Sequence, residues 1–318
     1  MKKELIKSNS REVEINLLGG NLVDSFIRFA GVSDKSAATY KIALRQLAKY
    51  FAANDITKPA RADLENWRDG LIADKKSPAT VQLYLTSAKI FFRWLAQEGF
   101  YLNIADHLKV RVKINHEHKK DALTSAQAGK VINGVKGDSL KDKRDRAILA
   151  LMTTAGLRCI EVARADVGDM IHQFGKTYLL IQGKGHCSKD SKVLLAAQVV
   201  TLIHDYLNSL GNVAENQPLF TSTANRNRGQ RLSTQSISKM VKAKLRATGF
   251  DTPRLTAHSL RHTAATTMII AGVELTKVQQ VLRHVNINTT MIYNNAVERM
   301  KNTAEQIAAD SIFNSISA

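Results

Sequence analysis

The sequence predicts a mainly α-helical chain with a small β-sheet, split between a helical N-terminal domain and a mixed α/β domain. Three observations carry this. Apolar residues recur at helical spacing through residues 20–105. A polar, basic, weakly periodic stretch at 106–121 interrupts them. Beyond it, two short apolar runs at 177–181 and 192–195 flank a polar stretch from Gly183 to Ser191, the pattern of a hairpin. The 318 residues fit two domains of roughly 150 each.

In the first part, Ala38, Ile42, Leu44, Leu47, Tyr50 and Phe51 form one helical stripe, and Leu64, Trp67, Leu71 and Ile72 a second. Pro78 stands near the start of a third helix, carrying Val81, Leu85, Phe91, Trp94 and Leu95, and Gly99 ends it. Lys41, Arg45, Lys49, Lys89 and Arg93 lie on the polar faces. They read equally as a solvated surface or as a clamp on phosphates. The stretch 106–121 reads as a linker. Its His116 and His118 invite a metal reading, but no Cys is close in sequence, and a linker that touches phosphates is the better account.

Beyond the linker, residues 146–152 read as a buried helix stopping near Gly156, followed by a short helix carrying Arg158 and Glu161. Further helices are expected at about 197–210, 234–248, 257–271 and 275–283, with another from about 288. The expected organisation is an extension at 1–19, a helical domain at 20–105, a linker at 106–121, a second domain at 122–295 and a tail at 296–318.

Lys and Arg number 46 against 28 Asp and Glu, a formal charge of +18, which favours a polyanionic partner. The two cysteines, Cys159 and Cys187, form no disulfide framework and fit a reduced, cytosolic setting. The N-terminus lacks the apolar core of a signal peptide, and no uncharged run approaches the roughly 20 residues of a membrane span. No metal-ligand cluster and no phosphate-binding glycine loop is evident.

The chemistry lies in an ordered set of residues. Arg158 and Glu161 are three apart, as are His258 and Arg261, so each pair shares a helix face. Lys184 sits between two glycines, and His284 precedes Tyr293. Taken singly, each has a bland reading: a salt-bridged helix face, a turn lysine, a hydrogen-bonded histidine, a packed tyrosine. Taken together, two arginines and two histidines ahead of a tyrosine form a phosphate clamp beside a hydroxyl nucleophile. A free tyrosine hydroxyl, with a pKa of about 10, needs local positive charge and a base to attack.

Ala155-Gly156-Leu157-Arg158-x-x-Glu161, Gly183-Lys184-Gly185, His258-x-Leu260-Arg261-His262, and Leu282-x-His284 with Tyr293 nine positions on closely resemble the tyrosine recombinase family, also called phage-type integrases. The resemblance covers nearly the whole chain and implies a helical core-binding domain, a linker and a catalytic domain of the tyrosine recombinase type. It implies that Arg158 and Arg261 hold the non-bridging oxygens of the scissile phosphate. His258 would take the tyrosine proton or bond the phosphate, and His284 would donate to a phosphate oxygen. Lys184 would protonate the leaving 5′ oxygen, Tyr293 would attack to give a 3′-phosphotyrosine, and Glu161 would brace the site. The same resemblance implies no cofactor, no metal and no ATP, because arginines supply the charge and the covalent link keeps the phosphodiester energy.

The implied partner is double-stranded DNA, bound by a monomer or dimer that becomes a homotetramer on paired sites, with accessory DNA-bending proteins as further candidates. The implied location is the cytoplasm of a bacterium, on its nucleoid, the chain being bacterial or phage-derived. Residues 1–19 are too short for the extra DNA-binding domain of larger phage integrases, which favours a Xer-like resolvase or a mobile-element integrase. Val297, Met300, Ala304, Ile307 and Ala308 follow helical spacing, and the resemblance implies that this tail docks on a neighbouring protomer; packing on its own domain is the alternative. One departure stands out: Arg283 replaces the family's usual glycine before the histidine, either to touch DNA or only to reshape the turn. A type IB topoisomerase and a non-catalytic DNA-binding regulator remain the rival readings.

Overall fold

Helix punctuation and apolar spacing account for most of the architecture. The computed structural model describes residues 19–109, 121–183 and 185–314. It divides into two units, residues 1–116 and 117–318. It is mostly helical, with one three-stranded sheet, as the sequence predicts.

The first unit contains α1 (Gly20–Ala30), α2 (Asp34–Ala53), α3 (Arg61–Ala73) and α4 (Pro78–Gln97). Left-handed Gly31 stops α1. Ser77 starts α4, its hydroxyl accepting from the Thr80 N–H at 3.2 Å with Pro78 in the first turn. Aromatic rings fill the core: Phe26 meets Phe91 edge-on at 5.2 Å and Trp94 at 5.7 Å. Ile42 departs from the predicted stripe and is half exposed. Leu44, Leu47 and Phe51 set the buried face of α2, and a residue two positions from Leu44 points elsewhere. Of the stretch expected to be a linker, Leu108 is buried in this core, while residues 110–120, His116 and His118 included, lie outside the described residues.

The second unit begins with α5 (Ser125–Asn133), α6 (Leu140–Ala155) and α7 (Cys159–Arg164). Residues 147–152 of α6, an unbroken apolar run that goes round every side of the helix, are all buried. The sheet follows in the order β1 (Met170–Gln173), β2 (Lys176–Ile181), β3 (Ser191–Leu194), all antiparallel. Leu179 of β2 pairs with Val193 of β3, both buried. The sequence reading lacked β1. It is short, and its tie to β2 is a two-residue turn in which Phe174 and Gly175 both have positive φ.

Helices α8 (Ala197–Asn208), α9 (Thr234–Ala247), α10 (Ala257–Ile270), α11 (Leu275–Leu282), α12 (Asn288–Lys301) and α13 (Ala304–Asn314) complete the unit. Central among them, α10 packs against α5, α6, α9, α11 and α12. Helix α12 runs through residue 296, where the tail was expected to begin. Val297, four residues after Tyr293 and so on its face, is buried beside it, with Leu282 and Val278 of α11 and Ala265 and Ile269 of α10. That position of the expected tail therefore packs in its own domain. Beyond it, Met300, Ile307, Ile312 and Phe313 are exposed, and α13 buries none of its residues. Among the described residues no helix is long and apolar enough to cross a membrane.

Candidate active site

The site starts where α6 ends. Gly156 closes α6 in the left-handed conformation, and a Cβ there would lie 2.6 Å from Leu282 Cδ2. Glycine thus lets the turn pass against the end of α11. Two residues on, Arg158 occupies the N-cap of α7. Glu161, in the third helical position, reaches back to accept the Arg158 backbone N–H at 2.7 Å through Oε2. This is the reciprocal half of a capping box. The same carboxylate accepts Arg158 Nη1 on Oε1 at 2.8 Å. Helix capping therefore places the acid against the arginine.

Two more guanidinium groups converge on Glu161. Arg261 of α10 is fully buried and donates from Nη1 to the Gly156 carbonyl at 2.6 Å and from Nη2 to the Leu282 carbonyl. Its Nη1 lies 3.9 Å from Glu161 Oε2. Arg283, just past α11, donates from Nη2 to Glu161 Oε2 at 2.7 Å and from Nη1 to the Val281 carbonyl at 2.6 Å. Burial pushes the Glu161 carboxyl upward, but Arg283, the Arg158 backbone and Arg261 outweigh it, and its pKa lies below the ordinary value. Burial, reinforced by Arg158 and Arg283, pushes Arg261 down to about 9, so it stays cationic at neutral pH.

Tyr293 is buried on α12, on the face it shares with Thr290 and Val297. The His262 ring meets it edge-on at 5.0 Å, and the His284 ring stacks nearly parallel at 6.1 Å. His262 in turn meets the ring of His258 at 4.7 Å, and His258 is exposed. Burial raises the Tyr293 hydroxyl above its ordinary pKa, against the pull of Arg261 and Arg158. His284 Nδ1 is 2.9 Å from Thr290 Oγ1. Burial, then Arg261, Arg158 and Arg283, pushes His284 down to about 3, so its ring is neutral at physiological pH.

The structure thus gathers Arg158, Glu161, Arg261, His284 and Tyr293, with His258 joined through His262. Lys184 lies outside the described residues. Its neighbour Gly183 is held by Arg164, whose Nη1 donates to the Gly183 carbonyl at 2.8 Å. The sequence reading named His262 only within a motif and gave it no role, and it missed Thr290 and the Arg283–Glu161 contact. Helical spacing carried a signal for two of them, since His262 follows His258 by four residues and Thr290 precedes Tyr293 by three. Cys159 is half-buried and Cys187 exposed, both free. Among the described residues no group of three or more His, Cys, Asp or Glu side chains could hold a metal ion.

Residues 121–299 match the model of the phage integrase family, and residues 24–99 match that of the phage integrase N-terminal SAM-like domain. The chain is 28% identical over 272 residues to tyrosine recombinase XerC of Corynebacterium efficiens, covering 85% of this chain and 84% of that protein. It is 30% identical over 248 residues to tyrosine recombinase slr0733 of Synechocystis, 77% of each chain. In fold it resembles the XerH site-specific recombinase in its post-cleavage complex with palindromic difH substrate, with a TM-score of 0.74 and 20% identity over 92% of this chain and 85% of that one. This chain belongs to the phage integrase family. It is an enzyme of the tyrosine site-specific recombinase class, which cuts and rejoins DNA strands.

The neutral state of His284 has a consequence for stability. The unfolded chain protonates this histidine near pH 6.5, whereas the folded chain does so only near about 3. Between those values the unfolded state binds more protons, so this contribution is complete above pH 6.5 and is lost as pH falls through the window. His284→Gln should flatten the fall in melting temperature across that window. An unchanged slope would show that His284 is not held neutral.

Proposed function

We propose that Tyr293 is the nucleophile of this recombinase and that Arg158 and Arg261 grip the scissile phosphate of duplex DNA. The observation that carries the reading is a buried tyrosine beside arginine charge in excess of its single carboxylate partner. Tyr293 Oη bonds to phosphorus and the P–O5′ bond breaks, leaving a 3′-phosphotyrosine. The hydroxyl proton passes to His258, and Lys184 protonates the departing 5′ oxygen. His284, neutral and tied to Thr290 through Nδ1, donates from Nε2 to a phosphate oxygen. Fixed cationic donors suit a transition state that gathers negative charge on phosphate oxygens. Attack by the freed 5′ hydroxyl of another strand reverses the chemistry and restores the phosphodiester. The charge of +18 supports a long DNA contact, and the enzyme would work on cytoplasmic, nucleoid DNA.

Tyr293→Phe should abolish the covalent adduct on a nicked suicide substrate while leaving duplex affinity nearly unchanged. An adduct formed by the Phe variant would remove Tyr293 from the role.

Lys184→Ala should slow cleavage of the normal substrate. A substrate with a bridging 5′ sulfur needs little protonation at the leaving atom and should recover most of the lost rate. The same substrate should not recover Arg158→Ala, whose loss of a direct donor is worth about 10²–10³ in rate. Equal recovery of both variants would refute the general-acid role.

The exposed residues Met300, Ile307, Ile312 and Phe313 suit a tail that docks on a neighbouring protomer within a tetramer on two sites. Each large apolar side chain so buried contributes about 1.5–3 kcal/mol. Deleting residues 303–318 should therefore leave single-site binding intact and abolish the two-site complex in a gel-shift assay. Normal pairing of sites by the truncated protein would refute trans docking.

A further inference from the structure

Arg283 stands where the resembled family usually has glycine, and the backbone shows why glycine suits the position. Arg283 caps α11 with φ 55° and ψ 47°, the left-handed conformation that costs a side-chain-bearing residue energy. The strained residue nevertheless has defined partners: its guanidinium bonds Glu161 Oε2 and the Val281 carbonyl. Among the three arginines on Glu161, side-chain exposure differs sharply, at 30% for Arg158, 11% for Arg283 and 1% for Arg261. Arg261 is tethered to two backbone carbonyls. Arg158 is the most open of the three, and the side-chain bond holding it goes to Glu161.

We propose that Arg283 is a positioning residue that keeps Glu161 neutralised while Arg158 moves its guanidinium from that carboxylate to the scissile phosphate. This rests on the reading of Arg158 as a phosphate-binding residue. Glu161 is fully buried, and a buried carboxylate that loses its cation is strongly disfavoured. Without Arg283, Arg158 would be held back on Glu161, because Arg261 approaches the acid only to 3.9 Å. With Arg283 at 2.7 Å on Oε2, the carboxylate retains a close partner after Oε1 is released. The arrangement also leaves two positive charges in excess around one acid, matching the two negative charges of a phosphodiester at its transition state.

The test is single-turnover cleavage of a suicide duplex by full-length protein. Arg283→Gly removes the guanidinium and also relieves the left-handed strain, so a loss of folding is not the expected outcome. The rate should fall about ten- to a hundredfold, as for groups that hold a reacting group in place, with duplex affinity and its salt slope unchanged. In a Glu161→Gln background the same substitution should change the rate less than about threefold. Arg283→Lys should retain much of the rate and Arg283→Gln should not, a comparison that needs no change at Glu161. An equal loss in both Glu161 backgrounds overturns the proposal, and a shallower salt slope with it would make Arg283 a direct phosphate contact. Equal rates for the Lys and Gln variants, no loss with Gly, or a gain, overturn it as well. If Tyr293→Phe still forms the adduct, the underlying assignment of the nucleophile fails, and that outcome is read separately from the Arg283 comparison.

Discussion

The carboxylate of Glu161 is the point on which this site depends. It is buried, it closes the first turn of α7 by accepting the Arg158 N–H, and it draws guanidinium groups from α10 and from the end of α11. A buried acid without partners would take up a proton or disrupt the fold. With these partners it stays ionised, and its charge orders cations that would otherwise repel one another. Local helix capping and long-range assembly of the site are thus one set of hydrogen bonds.

The electrostatic surplus then shapes the neighbouring groups. Positive charge and burial together keep His284 neutral, which makes it a donor through one nitrogen and an acceptor through the other. The same charges oppose the effect of burial on Tyr293 without overcoming it, so its hydroxyl stays protonated at neutral pH. A tyrosine held in this state is a weak nucleophile until its proton is removed.

Much of this was legible in the sequence because helices write themselves at short range. The stripe ending in Phe51, the Pro78 start, and the spacing of Arg158 with Glu161 are all local signals. The family resemblance supplied the grouping of distant residues, which spacing alone does not. What escaped was set by tertiary packing. Strand β1 is four residues long and owes its existence to pairing with β2. Val297 reads as part of an apolar tail, yet shares the buried face of Tyr293. Arg283 reads as a contact to DNA or a change of the local turn, and only the fold brings Glu161, over a hundred residues earlier, within reach of it. Ile42 shows the converse, an apolar residue whose helix turns it outward.

The corner at Gly156 has room for a hydrogen atom where any other residue would carry a carbon. Its carbonyl tethers Arg261 on one side while its Cα faces Leu282 on the other. The room left on the side facing Leu282 is therefore smaller than a methyl group. Exposed helices such as α13 absorb changes of residue freely, whereas here an added carbon would meet the end of the Leu282 side chain and a backbone φ of 63° that favours glycine, so the strain would fall on the turn whose carbonyl holds Arg261.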